Sequence, residues 1–229
     1  MSMLFRCSSI GKLMTEPKTK SEGPLSVGAK TYIRSLAAQS IFGIDFEVTS
    51  KEMEKGLMVE QDGIAMLNRV RGLNLTKNTE RRSDGWITGE ADLFNAAMRR
   101  GHDLKCSWSA ATFPISVADC KDSLYEWQMR GYMRLWDADA WEVNYCLITT
   151  PESLTKWEPL FMHFVDHIPE HMRITTWIVE RDKEKEERMI EKIGHAREYF
   201  AQVVAEFAES HPEPSAHVLA APVKALEAA

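Results

Sequence analysis

Asp92, Asp103 and Lys105 place two carboxylates and an ammonium within the stretch GWITGEADLFNAAMRRGHDLKCSW. Two hard oxygen ligands suit Mg2+ or Mn2+, ions that keep several waters and take further oxygens from substrate phosphates. A lysine beside such a pair can hold one of those waters as its ammonium or deprotonate it as its free amine. The reaction this combination suits is metal-assisted attack on a phosphodiester. Taken alone, D-x10-D-x-K is also the pattern of a solvated ion pair on any exposed hairpin, which is worth little energetically.

Positioning these groups requires a hairpin. Residues 86–94 read as one strand, residues 95–101 as a short polar turn and residues 102–108 as the returning strand. Alternation along the second strand sends Asp103 and Lys105 to one face and Leu104 into the core, while the hairpin brings Asp92 beside Asp103. Upstream, TSKEMEKGLMVEQDGIAMLNRVRG carries Met53, Leu57, Ile64, Leu67 and Val70 at helical period. Glu60, near the middle of that helix, is either a third metal-site carboxylate or a surface charge. Downstream, DSLYEWQMRGYMRLW has an apolar face of Leu124, Trp127, Tyr132 and Leu135, with Gln128 one turn before Tyr132. By itself Gln128 reads as a surface amide. The run WEVNYCLITT reads as a central strand.

The order of these segments resembles a known family. GLMVE ending at Glu60, GEAD ending at Asp92, DLK ending at Lys105 and QMRGY from Gln128 to Tyr132 match the consecutive motifs of the PD-(D/E)xK nucleases. Within that superfamily the chain is most similar to the viral and prophage alkaline exonucleases of the lambda exonuclease and YqaJ type, relatives of the RecB nuclease domain. The resemblance covers most of residues 4–200. It implies an α/β restriction-endonuclease-like core, with a central mixed sheet flanked by helices. It also implies a Mg2+-dependent exonuclease, with Mn2+ as a substitute, that digests the 5′-ended strand of linear duplex DNA to 5′-mononucleotides and leaves a 3′ overhang. Carried over by residue, Asp92, Asp103 and the Leu104 carbonyl would ligate metal, with Glu60 helping to ligate it or to position water. Lys105 would orient the attacking water, and Gln128 and Tyr132 would line the site and help hold substrate. The family's usual partners are DNA ends and a single-strand annealing recombinase, and its assembly is a trimeric ring around the duplex. Asp103 stands where the family commonly has Glu. Glu90 stands where it often has a small hydroxyl residue near the terminal phosphate, and Arg130 where relatives often carry a second Gln.

Composition agrees with globular material: 44% hydrophobic and 27% charged residues over 229 positions. With neither an apolar span nor a signal-peptide pattern in the sequence, a cytoplasmic, non-membrane protein is expected. The net charge of -6 is unusual for a protein that grips a polyanion. Its distribution is uneven: residues 1–105 hold 16 Lys and Arg against 13 Asp and Glu, and residues 106–229 hold 12 against 21. Candidate phosphate contacts are therefore Arg6, Lys12, Lys18 and Lys20, then Lys77, Arg81 and Arg82, with Arg130 as either a phosphate contact or a helix-surface charge. Ser8 and Ser9 before IGKLM read as an N-cap that would also offer a phosphate free N–H groups. Cys7, Cys106, Cys120 and Cys146 form no close cluster and read as reduced, partly buried thiols. His163, His167 and His171 read as structural or surface residues, because Pro169 interrupts their helix.

The expected order is a helix at the SSIGKLM start, helices over 26–42 and 50–72, three strands within 73–108, a helix over 118–137, a strand over 141–150, then helices. DKEKEERMIEKIGHAREYFAQVVAEFAE predicts a long amphipathic C-terminal helix with Met189, Ile193, Ala196, Phe200, Val203 and Phe207 on its apolar stripe. Residues 1–210 read as one nuclease domain and residues 211–229 as a Pro/Ala-rich tail.

Overall fold

The computed structural model describes residues 3–46 and 48–212. The chain runs through β1 (Phe5–Arg6), α1 (Val27–Phe42), α2 (Lys51–Arg71), β2 (Arg81–Ser83), β3 (Ile87–Glu90), β4 (Leu93–Asn95) and β5 (Arg100–Cys106). It continues through α3 (Ser123–Trp136), β6 (Ala140–Cys146), the single turn α4 (Glu152–Thr155), β7 (Ile174–Glu180) and α5 (Lys183–Ser210). Helix starts follow the side chains able to satisfy first-turn N–H groups. Ser26 accepts from Ala29, Ser50 from Met53, Asp122 from Leu124 and Asp182 from Lys185. Gly43 and Gly72, both at positive φ, end α1 and α2.

The strands form two mixed sheets rather than one. β1, β3 and β2 make a three-stranded sheet in that order, and β4, β5, β6 and β7 make a four-stranded one. The expected single strand over 86–94 is therefore two strands in different sheets, separated at Ala91 and Asp92. The hairpin survives on its second half: β4 pairs antiparallel with β5, Leu93 opposite His102 and Asn95 opposite Arg100. β5 and β6 pair in parallel across the α3 crossover, from Arg100–Ala140 to Cys106–Cys146. β6 is buried at nearly every position, as a central parallel strand must be. Other expectations need correction. β7 lies where only helices were expected, and α3 begins at Ser123 rather than 118 because Asp122 provides the cap. β6 ends at Cys146 rather than 150.

Both faces of the four-stranded sheet are covered. Trp141 lies directly over Gly101, so close that a Cβ there would sit 2.2 Å from the indole. It packs in turn against Tyr132, Trp136 and Phe94. On the other face Leu104 packs toward Gly63 of α2. α2 is also tied to the strand ends by Lys55, fully buried, whose ammonium donates to the carbonyls of Ser107, Trp108 and Ile148 at 2.6, 3.1 and 2.8 Å. α5 buries Met189, Ile193, Ala196 and Val203, while Phe200 and Phe207 are only partly covered. The Pro/Ala-rich segment falls, from residue 213 onward, outside the described residues.

Candidate active site

Asp92 sits in the break between β3 and β4, one step before Leu93, so the β4–β5 register extended by one residue sets it opposite Asp103. Among the described residues no strand covers that side of β5 beyond His102, and the Asp92 side chain takes the place of the ladder there. Its Oδ2 accepts from the Leu104 N–H at 2.8 Å. The N–H and C=O of one strand residue project to the same side, so the Leu104 carbonyl faces this gap as well. Asp103 and Lys105 share the opposite-facing row, toward α3. Lys105 Nζ lies 2.8 Å from Asp103 Oδ2 and 4.3 Å from the centre of the Tyr125 ring.

Beneath Asp103 runs a short relay. Gln128 Nε2 is 3.5 Å from Asp103 Oδ1 and donates to the Tyr132 hydroxyl at 3.1 Å, and that hydroxyl donates to the Glu90 carbonyl at 3.1 Å. Gln128 is 7% and Tyr132 5% exposed. Both therefore brace Asp103 against β3 from inside rather than line an open surface.

The electrostatics are those of a cation site. Burial, then the neighbouring Asp103 charge, pushes the Asp92 carboxyl up to about 7, against the lowering effect of the Leu104 N–H and Lys105. Burial disfavours charge on Lys105 too, but Asp103, Tyr125 and Asp92 outweigh it and hold the ammonium above the ordinary lysine value. Lys105 is thus a firm cation, suited to holding a water or phosphate oxygen and unsuited to removing a proton. Asp103 Oδ2 is buried with the Lys105 ammonium 2.8 Å away. Two carboxylates, Asp92 and Asp103, against that one ammonium leave a net negative charge that a further cation would balance. The donor set of Asp92, Asp103 and the Leu104 carbonyl, all hard oxygens, fits a divalent ion such as Mg2+ or Mn2+. Glu60 reaches the same neighbourhood from α2, but both its carboxylate oxygens are engaged by the Lys77 ammonium. Among the described residues no three His, Cys, Asp or Glu side chains are gathered ready to hold a metal by themselves. That includes His163, which is buried between Glu158, Thr150 and the Trp108 carbonyl.

The basic candidates separate into two groups. Arg6 pairs in register with Thr88, and Arg81 with Glu90, so both stand on the solvent face of the three-stranded sheet that leads to Asp92. Arg81 also contacts the Glu90 carboxylate at 3.2 Å. Arg82, one residue on, faces the other way, over the Trp136 ring and toward the Leu135 carbonyl. Arg130 is 4% exposed and taken up by Glu126, the Glu180 carbonyl and the Trp127 ring, which corrects its reading as a phosphate contact or surface charge. Lys12 lies over Tyr32, and Lys18 and Lys20 are exposed. Ser8 and Ser9 lie inside a 3-10 turn, Cys7–Lys12, whose N-cap is Arg6 with no side-chain cap, so the expected serine cap does not form.

No family model and no curated protein matches the chain. Among solved structures, the phage-related exonuclease from Haemophilus somnus 129PT superposes with a TM-score of 0.85 at 34% identity, over 90% of this chain and 97% of that one. The chain belongs to the phage-related exonuclease family. This is the lambda and YqaJ kind that its motifs resemble, and the membership makes it a nuclease-type protein. The alkaline exonuclease from Laribacter hongkongensis shares the fold at 14% identity, with a TM-score of 0.65 over 90% of this chain and 93% of that one. The structure of that enzyme with dAMP gives 13% and 0.62 over 90% and 92%. No helix of the described residues is long and apolar enough to cross a membrane.

The residues that sequence reasoning missed are the supports. Lys55 and the Asn78 side chain, which donates to the Ala91 carbonyl at 3.0 Å next to Asp92, hold the site's elements together. Lys55, one turn before Val59, lies off the apolar stripe of Met53, Leu57, Ile64, Leu67 and Val70, so the sequence carries no signal for its burial.

Proposed function

We propose that this family member is a divalent-metal-dependent exonuclease that degrades the 5′-ended strand of linear duplex DNA to 5′-mononucleotides. Its 3′ overhangs would then serve homologous recombination by single-strand annealing. The observation that carries the reading is the carboxylate pair at the edge of β5: Asp92, raised by burial and by Asp103, and the buried Asp103, two carboxylates set against the single ammonium of Lys105. Asp92, Asp103 and the Leu104 carbonyl would hold the ion. The chemistry Mg2+ or Mn2+ supplies in such a site is Lewis-acid polarisation of a phosphate oxygen and a lowered water pKa. Lys105 holds the attacking water or a non-bridging phosphate oxygen in line through charge and hydrogen bonding. Gln128 and Tyr132 keep Asp103 from turning away. Arg6 and Arg81, on the sheet face leading to Asp92, suit phosphates of the incoming strand. Mg2+ as the working ion, the 5′ polarity, residues 1–210 acting as one nuclease domain, a ring of three chains, a cytoplasmic site of action and an annealing recombinase as partner follow from the resemblance.

The test uses purified protein with Mg2+, a linear duplex labelled at its 5′ ends and a covalently closed circle, with EDTA and Lys105→Ala as controls. Release of labelled mononucleotide from the linear duplex alone, lost in both controls, is expected. Cutting of the circle would instead indicate an endonuclease, and metal-independent binding without turnover would indicate a non-catalytic DNA-binding protein.

A further inference from the structure

Lys77 belongs to none of the four motifs, yet the fold delivers it into the site. The segment between α2 and β2, residues 73–80, has no regular structure but is fastened twice. The Asn68 side chain pairs with both backbone groups of Leu75, donating to the carbonyl at 2.8 Å and accepting from the N–H at 3.0 Å. Asn78 closes the other end: its N–H donates to the Asp92 carbonyl at 2.7 Å and its amide to the Ala91 carbonyl at 3.0 Å. Between these clamps the Lys77 ammonium meets both oxygens of the Glu60 carboxylate, with side-chain exposures of 33% and 20%. Lys77 is held in the frame of the candidate metal site by the Asn78 backbone N–H on the Asp92 carbonyl and the Asn78 side chain on the Ala91 carbonyl. It is not a loose surface charge.

Charge balance points the same way. Glu60, Asp92 and Asp103 against Lys77 and Lys105 leave one negative charge. One divalent ion and one phosphodiester bring the sum to zero, and a second divalent ion would leave two positive charges in a partly buried site, which a lowered dielectric makes unfavourable.

We propose that Lys77 is the site's built-in second cation: its ammonium occupies the position beside Glu60 that a second divalent ion would take. A single ion is then held by Asp92, Asp103 and the Leu104 carbonyl. The inference rests on the metal-dependent reading above and deepens it by fixing the number of ions and giving Lys77 a positioning role on Glu60.

The test is calorimetric titration of the full chain with Mn2+ in the absence of DNA, with circular dichroism to confirm folding. Wild type should take up one ion per chain. Lys77→Met, which keeps the apolar stem and removes the charge, should take up two, and adding Glu60→Gln to it should return the count to one. Should Lys77→Met not fold, Lys77→Gln serves, and Glu60→Gln alone in the wild-type background should still take up one ion per chain. Two ions in wild type, or one ion in the Lys77 variants, would overturn the inference while leaving metal dependence standing. No ion in wild type would remove the metal-dependent reading itself.

Discussion

Asp92→Asn should stabilise the metal-free protein above neutral pH even as it destroys the site. In the unfolded chain this carboxyl titrates near 3.8, and in the folded chain it is pushed up to about 7, first by burial and then by Asp103. Between those values the folded state holds a proton that the unfolded state has released. Wild-type stability therefore falls as pH rises from about 4 to about 7 and is flat beyond. At about 1.4 kcal/mol per pH unit, the interval comes to about 4 kcal/mol. The amide keeps an acceptor for the Leu104 N–H but loses the attraction of Lys105, so the net gain should be about 2–4 kcal/mol. For a chain of this size that is on the order of 5–10 °C in Tm. Thermal unfolding in EDTA at about pH 4.5, 7 and 8.5 reads it, and the variant should pull ahead of wild type as pH rises. A gap independent of pH, or a variant less stable at the alkaline end, would refute the argument that Asp92 carries a buried charge.

Further outcomes follow from neighbouring contacts. Lys105→Met should lower cleavage by about 10²–10³-fold in single-turnover assays while the protein stays folded. Because Asp103 holds the Lys105 ammonium above its ordinary value, wild-type rates should show no decline from this group's titration up to about pH 10. Gly101→Ala forces a methyl into the Trp141 indole and should cost roughly 3 kcal/mol or more in urea unfolding, since the ring is fixed by Tyr132 and Trp136. Arg130→Gln should lower stability without changing the slope of DNA affinity against salt concentration. Arg6→Gln, if that residue meets a phosphate, should flatten the slope by about one ion.

The parts of this protein legible in its sequence were those set by short-range rules. α5 follows its apolar period from the Asp182 cap, and α2 follows its own only over Ile64 and Leu67, since Met53 and Leu57 are exposed and Lys55 and Val59 are buried in their place; Asp103 and Lys105 share a face because a strand alternates. The failures lie where distant partners decide. Nothing local says that 86–94 must break at Ala91–Asp92, since the break exists because β3 pairs with β1 and β2 while β4 pairs with β5. β7, with the sequence ITTWIVE, carries a β-rich signal of its own, which sets it apart from the helical continuation expected there. Arg130 looked like a charge on a helix surface. Its burial depends on Glu126 one turn back and on the Glu180 carbonyl fifty residues away. The reach of Lys77 into the site likewise depends on two asparagines whose partners lie 7 and 13 residues along the chain.

The most direct measurement of the central claim is anomalous diffraction from crystals of the wild-type chain grown with Mn2+. A peak within coordination distance, about 2.0–2.4 Å, of Asp92, Asp103 and the Leu104 carbonyl, absent from Asp103→Asn crystals, is the predicted result. A peak held by other residues, or none at saturating Mn2+ in a protein that still cleaves DNA, would contradict it.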